Sequence, residues 1–142
     1  LRMALAESDV GIWDWDVPSD RAYFSPEWLG MLDYVPGDIE PTGAGWRSLV
    51  CSEDLPHVDQ VLDGVITGEK DRFAFEHRLK TKSGEWKWIL SRGKIIHRDQ
   101  SGRPTRMVGT HRDVHERVLM EQAIQRSEER HRIISETVSD YA

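Results

Sequence analysis

The residues of this chain best equipped for chemistry are its histidines and the acids near them. His97-Arg98-Asp99 and His111-Arg112-Asp113 both have the form of a phosphoryl-transfer triplet in which aspartate takes a hydroxyl proton. Five residues past each aspartate, where a metal-binding asparagine belongs, stand Pro104 and Val118. Gly43-Ala44-Gly45 lacks the third glycine and the following Lys-Ser or Lys-Thr of a phosphate loop. Glu53, Asp54, His57 and Asp59 combine the ligand types of a divalent-cation site. Acids at the start of a helix more often complement its dipole, so no metal is expected there. His111 and His115 are four apart but straddle a strand-to-helix junction, so they do not share a helical face. Cys51 is the only cysteine, which excludes an internal disulfide and a multi-cysteine zinc site. With no converging acid-base group, the expectation is a chain that is not itself an enzyme.

The elements that would position these residues fit one domain with an extension, since 142 residues suffice for a single core. A hydrophobic content of 38% with 31% charged residues describes a globular protein. The net charge of −6 argues against nucleic acid as a partner, because phosphate neutralisation needs a surplus of clustered Lys and Arg. No apolar run reaches the roughly 18 to 20 residues of a membrane span. These features point to a cytoplasmic setting without membrane contact by this stretch.

Hydrophobic period then assigns the elements. Leu1 to Ser8 reads as a short helix, and residues 11–17 alternate like a strand with Trp13, Trp15 and Val17 on one face. Pro18-Ser19-Asp20 turns the chain into a second short strand, Arg21 to Phe24. Ser25-Pro26-Glu27 has the form of an N-cap and a first-turn proline, opening a helix with Trp28, Leu29, Met31 and Leu32. Pro36 to Gly45 reads as loop. A longer helix starts after Ser52-Glu53-Asp54, with Leu55, Val58, Val61, Leu62, Val65 and Ile66 on its apolar face and Gly68 as its stop. Phe73, Phe75, His77 and Leu79 form one face of a third strand. Turns at 81–84 and 99–102 lead into a fourth strand, Trp86 to Ile96, and a fifth, Arg106 to Arg112. This order predicts an α+β fold, a five-stranded antiparallel sheet with helices on one face. The last strand passes through Asp113-Val114-His115 into a long polar helix with no breaker between. A continuous connection of that kind can carry a change in the sheet outward.

Several segments together resemble the successive signatures of a PAS domain, over about Leu5 to Arg117. They are Gly11-Ile12-Trp13-Asp14-Trp15-Asp16, Tyr23-Phe24-Ser25-Pro26-Glu27-Trp28, Trp46-Arg47-Ser48-Leu49-Val50, Glu53-Asp54, Lys82-Ser83-Gly84-Glu85-Trp86-Lys87-Trp88 and Gly109-Thr110-His111-Arg112-Asp113-Val114. Asp113-Val114-His115 is similar to the Asp-Ile-Thr relay motif of that family, with His115 in place of threonine. Cys51-Ser52 stand where His-Pro is common, and Asp33 replaces a glycine before Tyr34. The resemblance implies the PAS fold over residues 9–114, after an N-terminal helix at 1–8. It also implies a connecting helix over 115–142, whose stretch from Ser127 to Thr137 resembles the opening helix of a second PAS domain.

The resemblance also implies roles. A ligand pocket would draw on Trp13, Trp15, Leu62, Val65, Ile66, His77, Leu79, Ile89, Ser91, Met107 and His111. Packing of a plain core is the blander role for the same residues. His77, Ser91 and His111 would be inward polar groups needing partners, which a small polar or aromatic ligand could supply. The relay would run through Asp113, Val114 and His115. Signal would leave for a downstream PAS domain and a histidine kinase or cyclic-dinucleotide output domain of the same chain. No cofactor is the leading expectation and non-covalent flavin is compatible. Adduct photochemistry is disfavoured because the Asn-Cys-Arg-Phe-Leu motif is absent. Haem is disfavoured because its only candidate ligand, His57, falls in the first turn of a helix. A homodimer is expected through a heptad seam at 117, 120, 124, 127, 131, 134, 138 and 141, its apolar members including Met120, Ile124, Ile134 and Val138. The alternative is a ligand-free dimerisation and spacer module.

Overall fold

The computed structural model describes residues 9–141. The helix expected at Leu1 to Ser8 lies outside them. Five antiparallel strands form one sheet in the order β2-β1-β5-β4-β3: β1 Val10–Asp16, β2 Ala22–Phe24, β3 Arg72–Lys80, β4 Trp86–Arg98 and β5 Pro104–Asp113. Three helices, α1 Pro26–Gly30, α2 Gly43–Arg47 and α3 Leu55–Ile66, connect β2 to β3, and α4 His115–Asp140 follows β5. The first and last parts of the sheet are joined by the β1–β5 pairing, in which Trp13 lies opposite Gly109 and Gly11 opposite His111.

Alternation in β3 is strict. Phe73, Phe75, His77 and Leu79 are buried between more exposed neighbours, as a sheet with one covered face requires. The core joins this inner face to Trp28 and Leu29 of α1, Leu32, Leu49 and Val50 of the connecting segments, and Val58 and Val65 of α3. Burying each such side chain contributes about 1.5–3 kcal/mol. The helices α1 to α3 are held on that face by these contacts. Helix α4 buries only Val118 among its described residues, together with Val114 before it, and otherwise leaves the domain.

Local chemistry explains the element boundaries, including two departures from the sequence reading. Ser25 caps α1 as expected, its Oγ accepting from the Trp28 amide at 3.2 Å. The helix ends at Gly30, however, and Met31 and Leu32 lie in the following turn, which Asp33 closes at φ 67°. Residues 43–47, expected as loop and its sequel, form α2, because Thr42 Oγ1 accepts from the Gly45 amide at 2.9 Å. Asp54 occupies the N-cap position of α3 but makes no side-chain cap bond. Its carboxylate instead accepts from the Arg78 amide at 2.7 Å and from the Arg78 guanidinium at 2.8 and 3.1 Å.

Candidate functional site

Between the inner sheet face and the helices lies a cavity of about 360 Å³. Its floor depends on two glycines. Gly93 and Gly109 are opposite each other in the β4–β5 pair, and a Cβ on either would overlap the Trp13 indole. Glycine at both positions lets Trp13 lie against the backbone, where it stacks on Phe73 at 5.9 Å. Phe73 in turn stacks on Phe75 at 5.4 Å. The far wall is Trp28, sandwiched between Phe24 at 4.0 Å and His111 at 5.2 Å.

The mouth of the cavity is polar. Asp20, at φ 62°, accepts from Trp15 Nε1 at 2.8 Å and from the Ala44 amide at 3.0 Å, tying β1 to the start of α2. Arg47 of α2 makes a bidentate pair with Asp59 of α3 at 2.6 and 2.8 Å. Hydrogen bonding across that pair raises the guanidinium and lowers the carboxyl from their ordinary values. Both partners are over 40% exposed, so the link sets geometry more than stability.

Two buried histidines adjoin the cavity, His111 in its lining and His77 behind it. His77 Nδ1 bonds the Ile89 carbonyl at 2.9 Å, and Nε2 is 3.1 Å from the Trp46 indole N–H. Indole can only donate, so Nε2 is the acceptor and Nδ1 carries the proton. Burial pushes this imidazole down to about 4, against its bond to Ile89 and the attraction of Asp54. His111, 5.4 Å away, is likewise held well below its ordinary value, by burial first and by His77 second. Its Nδ1 has no partner, and neither do Trp13 Nε1 and Trp28 Nε1. Each belongs to a residue lining the cavity. Leaving a buried polar atom unpaired costs about 1–3 kcal/mol, so three in one place mark a poorly satisfied region.

Of the pocket residues expected from sequence, Trp13, Trp15, Leu62, Ile66, Ser91 and His111 line the cavity. Val65, His77, Leu79, Ile89 and Met107 are fully buried in the surrounding core instead. His77 therefore needs no ligand to satisfy it, contrary to the expectation for inward polar groups. Lining residues that the reading missed include Phe24, Trp28, Trp46, Phe73 and Phe75, and the mouth residues Asp20, Arg47, Asp59 and Asp63. Thr42 as a cap was the available signal for α2 and hence for Trp46 and Arg47. The cluster read as metal-like is divided among arginines: Glu53 and Asp54 pair with Arg78 and Asp59 with Arg47. His57 is exposed on α3 and is not part of the lining, and neither is the buried Cys51. The lining thus offers neither a thiol for an adduct nor a histidine on α3 for haem.

His111 lies two residues before the exit from the sheet. Asp113 Oδ1 accepts from the His115 amide at 3.0 Å, fixing the start of α4, and Oδ2 pairs with Lys87 at 3.2 Å. Lys87 also donates to the Met31 carbonyl at 2.7 Å. The Val114 amide donates to the Trp88 carbonyl at 3.1 Å, and the Trp88 amide donates to His115 Nδ1 at 3.2 Å. The histidine at the threonine position thus supplies an acceptor to the edge of β4. Along α4, Met120, Ile124, Ile134 and Val138 are all exposed.

A one-sided antiparallel sheet around an aromatic cavity, with a helix leaving from its central strand, defines a sensor-type α+β domain. The model of the family described as PAS fold matches residues 21–111, and the chain belongs to that family. It is similar to a crystal structure of a sensory box histidine kinase/response regulator from Burkholderia thailandensis. Identity is 28% and the TM-score 0.80, covering 92% of this chain and 96% of that one. It is 38% identical over 102 residues to the two-component sensor PprA of Pseudomonas aeruginosa, covering 69% of this chain and 11% of the relative. The probable diguanylate cyclase DgcE of Escherichia coli is 20% identical over 140 residues, 99% of this chain and 12% of the relative. The chain therefore spans only about a tenth of the length of PprA and of DgcE. It is a PAS sensory domain, and no helix among its described residues is long and apolar enough to cross a membrane.

Proposed function

We propose that this domain senses a small, largely aromatic ligand in its cavity and relays occupancy through β5 and Asp113-Val114-His115 into α4. The observation that carries this reading is the continuity of the cavity with the exit. His111 lines the cavity on the same strand that ends at Asp113, whose carboxylate accepts from the first amide of α4. A ligand that orders His111 and Trp28 would change the energy of β5 relative to its neighbours, and α4 would report the shift in population. In this reading the domain itself would perform no reaction. The parent protein would carry a further PAS domain beyond α4 and a histidine kinase or diguanylate cyclase output, operating in the cytoplasm. Exposed Met120, Ile124, Ile134 and Val138 would pair two α4 helices in a homodimer.

Screening planar aromatic compounds by thermal shift tests this directly, because binding to the native state raises the melting temperature. A compound that raises it and alters α4 pairing supports sensing. Dimerisation without response to any compound would instead establish the spacer reading, which the exposed apolar residues of α4 favour. In the intact receptor, Asp113→Ala should uncouple output while the domain stays folded. Normal switching with that change would remove Asp113 from the relay.

A further inference from the structure

We propose that the cavity selects organic cations, holding a planar aromatic body among its rings and a protonated amine at its mouth, with Asp63 as the counter-ion. This inference rests on the ligand reading above and adds to it the charge of the ligand.

The charged groups of the lining are the carboxylates of Asp20, Asp59 and Asp63 and the single guanidinium of Arg47, so the mouth is net negative. Arg47 is not free to receive an anion, because Asp59 engages both of its terminal nitrogens, at 2.6 and 2.8 Å. Asp20 is fixed by neutral donors, Trp15 Nε1 at 2.8 Å and the Ala44 amide at 3.0 Å. Those bonds orient its carboxylate without cancelling its charge. Asp63 lies one helical turn beyond Asp59 on α3 and is exposed. Among the described residues it has no ion pair or side-chain hydrogen bond. The surroundings reinforce the sign, since residues 25–71, which carry α1 to α3, contain ten Asp and Glu against Arg47 and Lys70. A cleft lined by one sign of charge raises the local concentration of the opposite ion.

An exposed acid on a helix is ordinarily a solvated one, and what gives Asp63 a further role is the aromatic cavity behind it. Trp15 is half-buried, lines the cavity beside Asp20, and has no ring stacked on it among the described residues. A cation within about 6 Å of an indole face is attracted by the quadrupole of the ring. Independently of the acids, Trp28 and His111 point to an occupant. They are 0% and 3% exposed, line the same cavity, and leave Nε1 and Nδ1 without partners. The acids do not converge as metal ligands, because no three His, Cys, Asp or Glu among the described residues are placed to share an ion. The cation is therefore organic. An anionic ligand would have to break the Arg47–Asp59 pair and then face Asp63, and a neutral one would leave Asp63 unpaired.

Three probes that share the indole ring and differ in charge test this: tryptamine, indole and indole-3-acetate. Their binding to the 142-residue chain is measured by isothermal titration calorimetry at pH 7.5, where the amine is protonated and the acid ionised. Tryptamine should bind at least about tenfold more tightly than indole-3-acetate, with indole between them, and the spread should narrow as salt rises. Tryptamine should displace indole, and ethylammonium, which has the charge without the ring, should not. In Asp63→Asn the ratio of tryptamine to indole affinity should fall about twofold to fivefold, the size expected of one partly exposed charge pair. Equal binding of the three probes, preference for indole-3-acetate, or an unchanged ratio in D63N would overturn the proposal while leaving the cavity a ligand site. Tryptamine binding that does not displace indole would also overturn it, since the charge would then be read elsewhere on the surface. Binding of none of the three would remove the cavity reading itself, and this inference with it.

Discussion

Acid should destabilise this domain well before its carboxylates titrate, and His77 should account for much of the loss. The group is fully buried, neutral, and bonded as Nδ1–H to Ile89 with Nε2 accepting from Trp46. Its folded-state value of about 4 lies below the ordinary 6.5 of the unfolded chain. The unfolded state therefore binds the extra proton, and stability is fully present above pH 6.5 and is lost as pH falls toward 4. Linkage over that interval gives a loss of about 2 kcal/mol between pH 7.5 and pH 5 from His77 alone. His111 is displaced in the same direction and adds to it. The lowered carboxylates Asp54 and Asp59 act in the same sense, but their stability is lost only below the ordinary carboxylate value of 3.8. Urea unfolding followed by tryptophan fluorescence at a series of pH values measures the profile. His77→Gln retains an amide that can donate to Ile89 and accept from Trp46 but cannot take a proton. It should remove about 2 kcal/mol of the pH dependence and leave the His111 part. If H77Q loses as much stability between pH 7.5 and pH 5 as the parent, the protonation argument fails.

Other substitutions probe the site's construction. Gly109→Ala drives a methyl into the Arg92 carbonyl and the Trp13 ring and should cost about 3 kcal/mol or more, read from the urea midpoint. Trp46→Phe removes the donor to His77 Nε2 and should cost about 1–3 kcal/mol at pH 7.5. Asp113→Ala deletes the bond to the His115 amide and should cost about 1 kcal/mol, with faster hydrogen exchange confined to the first turn of α4.

What the sequence disclosed divides along physical lines. The strands with one covered face were legible because burial imposes a period of two, as in Phe73, Phe75, His77 and Leu79. Helix α3 was legible from its apolar stripe and α1 from Ser25-Pro26. Helix α2 was missed because five residues are too few to show a helical period, and with it went Trp46 and Arg47 at the cavity mouth. Asp54 was legible as an acid at the start of α3 but not as the partner of Arg78, because a guanidinium 24 positions away forms stronger, charge-assisted bonds than an amide of its own first turn. The partition of inward residues between cavity and core could not be read from alternation. Ser91 and Ile89 share a face, and only the positions of Trp13, Trp28 and the two glycines decide which borders empty space. The exit was legible in its continuity, but not in its wiring, since Lys87, Trp88 and Met31 come from distant segments.

Sensing by this domain requires that cavity and exit helix be coupled. Amide hydrogen exchange at Val114 and Val118, measured as the chain is titrated with indole, tests it most directly. Indole should bind saturably by isothermal titration calorimetry and change protection of both amides with the same concentration dependence. Saturable binding with unaltered exchange at Val114 and Val118, or no binding at all, would contradict the account.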